Sequence, residues 1–176
     1  MDLLLTHGYL LHEDPKELQI MKPYVPLGIL YLTSHLRAQN FDLEVFDSTF
    51  RNRNDLLRLL ETERPAVLGV CANLMTGGSF LQILRGAKNT GWKTVAGGPE
   101  PGVYVDEYLA AGADVVAIGE GELTLEELLP ILNDGNPEDL HRVRGIAFRG
   151  EDGTLRHTPP RPQIPHIGRQ PWPSRE

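Results

Sequence analysis

Apolar residues in this chain come in short blocks separated by longer stretches with helical spacing. The blocks lie at residues 2–6 (DLLLT), 43–46 (LEVF), 66–72 (AVLGVCA), 93–96 (KTVA) and 114–118 (DVVAI). Each is the length of a strand, and 66–72 is apolar at almost every position, the mark of a strand covered on both faces of a parallel sheet. Between and after the blocks, residues 26–39, 54–63, 80–89, 103–111 and 122–132 repeat apolar positions at helical spacing. Pro26 suits a first helical turn, Asn54 is the predicted cap of the second helix, and Ser79 with Gln82 reads as a capping box for the third. Five strand–helix units in succession predict an α/β fold: a Rossmann-like (flavodoxin-like), doubly wound, five-stranded parallel sheet, with strand order 2-1-3-4-5.

The pattern changes after the fifth helix. Residues 145–158 (GIAFRGEDGTLRHT) read as two short strands about an Asp152-Gly153 turn, a hairpin that flanks the sheet or caps an edge. Residues 159–176 hold six prolines in 18 positions, which leaves too few backbone donors for a ladder or helix and favours an extended path. The chain therefore divides into a Rossmann-like domain at 1–140, a hairpin extension at 141–158 and a Pro-rich tail at 159–176. The tail is either a disordered end or a connector to a further domain, with Trp172 between two prolines as its anchor.

Composition narrows the function classes. With 176 residues and 40% hydrophobic content, the chain builds one core. A formal charge of −7 and scattered lysines and arginines give no electrostatic footprint for nucleic acid. No apolar stretch is long enough for a membrane span and no leader is visible, so the expected location is cytoplasmic. Cys71, the one cysteine, excludes an internal disulfide and cannot alone hold zinc or an iron–sulfur cluster.

In doubly wound sheets ligands bind beyond the carboxyl ends of the strands where the order reverses, here between the first and third strands. The loop after the first strand, residues 7–25, is far longer than such connections usually are and suggests a lid or binding loop. The third strand ends in CANLMTGG, the fourth in AGGPEPG and the fifth in GEGE. Glycine there permits either a tight turn or a close approach by a ligand. The first loop lacks the G-x-G-x-x-G of a dinucleotide site, and no Gly-Lys-Ser/Thr P-loop occurs. Glu120 and Glu122 would repel phosphate. A phosphoacceptor receiver would need acidic residues where Thr6-His7 and Cys71-Ala72 stand. A mostly neutral slot lined by small residues remains, suited to a large organic cofactor.

The segments YVPLGILYLTSHLRAQNFDLEVFDSTF, VLGVCANLMTGG, VAGGPEPGVYVDEYLAAGADVVAIGEGELTLEELLP and PWPSRE together resemble the N-terminal cobalamin-binding domain of cobalamin-dependent radical S-adenosylmethionine proteins. The resemblance implies that this chain binds cobalamin (vitamin B12) without turnover. It implies also that a C-terminal radical S-adenosylmethionine domain, absent here, carries S-adenosylmethionine and a [4Fe-4S] cluster, and that the whole supports methyl transfer or a related radical reaction. Carried onto this sequence, it places the cofactor against His7, Gly8, Tyr9, Leu10 and Leu11; Cys71, Ala72, Asn73, Leu74, Met75 and Thr76; Gly97, Gly98, Pro99 and Glu100; and Gly119, Glu120 and Gly121.

Many such domains carry D-x-H-x-x-G after the first strand, with histidine on the cobalt and aspartate orienting it. Here Leu5 and Leu10 stand where the aspartate of His7 or His12 should be, and Asp139-Leu140-His141 is followed by Arg144 in place of glycine. The expectation is base-off cobalamin with no histidine beneath the metal, and water or Tyr9, Leu10 or Leu11 facing it. His35, within the first helix, is expected to have a surface or helix-packing role. Two other classes fit the sequence: a stand-alone small-molecule or nucleotide sensor using the same crevice, and a scaffold that docks a partner through its Pro-rich arm.

Overall fold

The computed structural model describes all residues except 12–14, 21–22, 24, 74–76, 166–167, 169 and 175–176. Strands β1 (Leu3–His7), β2 (Leu43–Phe46), β3 (Val67–Cys71), β4 (Lys93–Gly97) and β5 (Val115–Ala117) pair in parallel in the predicted order 2-1-3-4-5. Helices α1 (Pro15–Ile20) and α2 (Leu27–Ala38) follow β1, and α3 (Arg53–Thr62) follows β2. The remaining helices, α4 (Gly77–Asn89), α5 (Val105–Ala111) and α6 (Glu122–Asp134), follow β3, β4 and β5.

Of the two positions expected for it, the hairpin takes the second and caps an edge of the sheet. β6 (Ile146–Arg149) pairs antiparallel with β5, and β7 (Leu155–His157) with β6, so one mixed seven-stranded sheet replaces the expected five strands. β5 would otherwise leave its outer backbone groups open, and β6 closes them.

Two helix starts differ from the sequence expectation. The cap of α3 is Asn52: its side chain accepts from the Asp55 backbone N–H at 3.0 Å while Asp55 accepts in return from Asn52, a reciprocal box that Asn54 is too late to make. Ser79 lies inside the fourth helix, Gly77–Asn89, and the Gln82 side chain bonds Arg53 of α3. The first loop also contains α1, which lacks a periodic run long enough to be read from sequence.

Alternation along each strand gives the sheet two cores. Leu4, Leu68, Val70, Ala96 and Val116 point to one side, where Leu56, Leu60, Phe80, Ile83 and Tyr108 of α3, α4 and α5 close over them. Leu3, Leu5, Val67, Val95 and Val115 point to the other, against Leu36 of α2 and Leu125, Leu128 and Leu129 of α6. The tail lies across the outside of α2 and α6. Gly145 donates its N–H to the Pro159 carbonyl at 2.9 Å, Ile164 donates to Glu120 at 2.6 Å, and Ser174 donates to the Leu30 carbonyl at 3.2 Å. Trp172 is 86% exposed within this path.

Candidate functional site

The α2/α6 face of the sheet is incompletely filled near the carboxyl ends of its strands. Gly69 and Cys71 of β3, Gly97 of β4 and Ala117 of β5 occupy alternate positions that face the same way as Leu5 and Val95, and the register sets Cys71 beside Gly97. With so little side chain on the sheet, a slot of about 220 Å³ remains beneath Gly28, Ile29 and Leu32 of α2 and Gly121, Glu122 and Leu125 of α6. A Cβ at Gly28 or Gly119 would meet nothing within 4 Å, so the backbone there borders open space. Gly119 has φ 92°, the left-handed region, which turns the chain from β5 toward α6.

A second cavity of about 260 Å³ adjoins the slot along Gly28, Ile29 and Cys71, and is bounded by His7, Gly8, Tyr9 and Asn73 on one side and by Val25, Pro26 and Leu27 on the other. Val25 and Leu27 of this cavity, and Ile20, Phe50, Val103 and Tyr104, stand exposed in the segments that follow β1, β2 and β4. Apolar side chains therefore gather at the carboxyl rim of the sheet, where a broad apolar ligand would cover them.

Both ring nitrogens of His7 are engaged within the protein. Nε2 faces Asp47 Oδ1 at 2.9 Å, and Nδ1 accepts from the Tyr9 backbone N–H at 3.3 Å. The Ser48 hydroxyl reaches the carbonyls of His7 and Tyr9, which pins the turn after β1. Burial works to raise the Asp47 carboxyl, but hydrogen bonds from Thr49 and His7 outweigh it and hold the group below its ordinary range. His7 is thus a buried partner of Asp47, with no lone pair turned toward either cavity.

Cys71, Gly97, Gly98, Gly119, Glu120 and Gly121 line the slot, and His7, Gly8, Tyr9 and Asn73 line the adjoining cavity together with Cys71. Gly98 has its own structural reason as well: its φ is 104°, and a Cβ would lie 2.4 Å from the Ala72 carbonyl oxygen. Leu10 and Leu11 are buried, Leu11 completely, and Ala72 turns to the α3/α4/α5 core. Neither Pro99 nor Glu100 lines either cavity. Glu100 sits beside Tyr108, where burial first and this carboxylate second hold the phenol far above the usual tyrosine range. Leu74, Met75, Thr76 and His12 lie outside the described residues.

The sequence reading missed the lower half of the slot: Leu5, Gly69, Val95 and Ala117 from the sheet, Gly28, Ile29 and Leu32 from α2, and Glu122 and Leu125 from α6. The available signal was small residues recurring on one parity of adjacent strands, which becomes visible only when the register is drawn. Glu120 and Glu122 are the charged residues among those lining the slot, and Glu120 is engaged by Ile164. A separate cleft of about 400 Å³ at the amino ends of the strands is lined by Met1, Asp2, Glu63, Arg64 and Asp134, far from this chemistry. Among the described residues no helix is long and apolar enough to cross a membrane.

Comparison with known proteins identifies the family. Residues 20–129 match the B12 binding domain family. Over 157 residues the chain is 30% identical to an uncharacterized methyltransferase of Pyrococcus horikoshii, a match that takes in 85% of this chain and 33% of that protein. The cobalamin-dependent S-adenosylmethionine radical enzyme OxsB, with aqua-cobalamin bound, superposes with a TM-score of 0.78 at 20% identity, covering 98% of this chain and 24% of OxsB. Its apo form superposes with a TM-score of 0.71. The chain thus spans 33% of the curated relative and 24% of OxsB, and the likeness to OxsB is one of fold. A doubly wound sheet with an open slot at its switch point and a family match over most of its length mark this chain as a member of the B12 binding domain family, a cobalamin-binding protein.

Proposed function

We propose that this chain holds base-off cobalamin, with no histidine on the cobalt, as the cofactor-carrying part of a radical S-adenosylmethionine enzyme that supports methyl transfer or a related radical reaction. One observation carries the reading: the slot on the α2/α6 face is bare and mostly apolar, and it continues into a cavity in which His7, the one histidine among its described lining residues, is already bound to Asp47. Gly69, Cys71, Gly97 and Ala117 would receive the nucleotide arm, with Gly119–Gly121 at its side, and the apolar rim would underlie the corrin ring. Cobalamin in such a site supplies a cobalt that carries a methyl group. The chain's own part is placement and the exclusion of water by Leu5, Ile29, Leu32 and Leu125.

The two carboxylates of the slot support this reading over a nucleotide sensor, because a phosphate would meet Glu120 and Glu122 without a neighbouring cation among the described lining residues. Residues 159–176 are then the connector to the radical S-adenosylmethionine domain, and the protein works in the cytoplasm. Incubation with hydroxocobalamin followed by gel filtration tests binding: a coloured protein peak is expected, and a colourless peak at cofactor excess refutes the proposal. Electron paramagnetic resonance of the cobalt(II) form tests the axial ligand. Cobalt hyperfine lines without nitrogen splitting are expected, and nitrogen splitting would overturn the histidine-free assignment.

A further inference from the structure

From Arg161 onward, the described contacts of the Pro-rich tail include several on the two helices that roof the slot and on the turn that leads into α6. Arg161, whose side chain is 8% exposed, donates from Nη1 and Nη2 to Glu127 at 3.0 and 2.5 Å and from Nε to Thr124 Oγ1 at 3.0 Å, all on α6. The Ile164 N–H donates to Glu120 Oε2 in the turn that leads into α6. On α2, Ser174 bonds the Leu30 carbonyl, and Arg37 donates to the Ser174 hydroxyl at 2.9 Å. Between them, buried His35 of α2 is a three-way joint: Nε2 meets Glu126 of α6 at 3.0 Å, and Nδ1 meets Gln170 of the tail at 3.0 Å.

On the inside of the same seam the helices touch closely. A Cβ at Gly121 would stand 3.0 Å from Leu32 Cδ2, and Leu32 and Gly121 are both slot-lining residues. A bidentate arginine–carboxylate pair is directional as well as strong, so the tail fixes α6 in orientation and not merely in proximity. We infer that the tail, through Arg161, Ile164, Gln170 and Ser174, forms a strap that latches α2 to α6 over the slot and sets how readily a guest enters and leaves it, with Arg161 and Gln170 as positioning residues. The identity of the guest rests on the cobalamin reading, whereas the latch itself does not.

Cys71 makes the latch measurable without any ligand, because it is the chain's one cysteine and lines both cavities. The full chain is compared with Gln170→Ala and with Arg161→Ala/Gln170→Ala. The readouts are the rate of Cys71 alkylation by N-ethylmaleimide, followed by mass spectrometry, and thermal unfolding in parallel. Alkylation in the double variant is expected to be at least about fivefold faster, the lower end of ordinary coupling between two sites, with a smaller gain in Gln170→Ala. Arg161→Lys should restore part of the protection. Release of bound hydroxocobalamin should quicken by a similar factor.

Equal alkylation rates overturn the strap. So does an acceleration that disappears when the proteins are compared at equal distance below their unfolding midpoints, since the tail then contributes only general stability. Should the double variant not fold, Gln170→Ala alone decides between the same two results. A wild-type protein that emerges colourless from hydroxocobalamin defeats the cobalamin reading, while a difference in Cys71 alkylation still supports the latch.

Discussion

The two faces of the sheet are built from the same strands and do opposite things. The α3/α4/α5 face is filled by large side chains, Phe80, Tyr108 and Trp92 among them, and the Trp92 indole N–H donates to the Leu60 carbonyl at 2.9 Å across it. The α2/α6 face is as apolar but carries Gly69, Cys71, Gly97 and Ala117 toward the strand ends, so it stops short of close packing. One face spends its apolar surface on stability and the other withholds part of it for a guest. A core can thus be read for function by asking where volume is missing as well as by looking for polar groups.

Three substitutions break or sharpen that contrast, and the largest effect belongs to the filled face. Phe80→Ala should cost about 3–5 kcal/mol of stability through the cavity it leaves, measured by denaturant unfolding. It should weaken cobalamin binding only as far as it depletes folded protein. Gly97→Leu should do the reverse. A Cβ at Gly97 makes ordinary contact with Ala117 at 3.8 Å, so the fold tolerates the change, but the added side chain enters the slot. Forced overpacking costs about 1–3 kcal/mol, which appears here as cobalamin affinity reduced roughly ten- to a hundredfold, read by visible titration. Unchanged affinity in Gly97→Leu would show that the slot is not where the cofactor enters.

The smallest effect concerns the His7–Asp47 pair beside the adjoining cavity. Because the folded protein holds Asp47 below its ordinary value of 3.8, its contribution is complete above that pH and is lost as pH falls through the lower folded value. Asp47→Asn should therefore be less stable than wild type above pH 3.8, and the gap should close in more acid solution. Urea unfolding on both sides of that pH checks the sign. A gap that widens toward acid would mean that the pair does not stabilise the turn after β1.

The parallel order and the five strand–helix units are legible in the sequence because buried parallel strands leave continuous apolar runs and their helices leave a clear period. The hairpin was legible as a hairpin through Asp152-Gly153, where Gly153 adopts φ 75°, but its pairing with β5 depends on an edge that no local residue announces. Site residues at strand ends, such as Gly97 and Gly119, stood out as glycine in turns. Gly69 did not, because a glycine within VLGVC reads as one more buried strand residue until β3 is set beside β1 and β4. The tail was least legible of all. The partners Gln170 and His35 lie 135 residues apart, and prolines at one end say nothing of a helix near the other.

The antiparallel addition at the end of the sheet also governs how this protein meets its neighbours. Its outermost strands are short, β2 with four residues and an exposed Glu44, β7 with three that include exposed Arg156 and His157. Margins so brief and so charged discourage another chain from prolonging the ladder. A partner that avoids such edges would meet helices and connecting segments, through shape and side-chain chemistry rather than by borrowed backbone pairing.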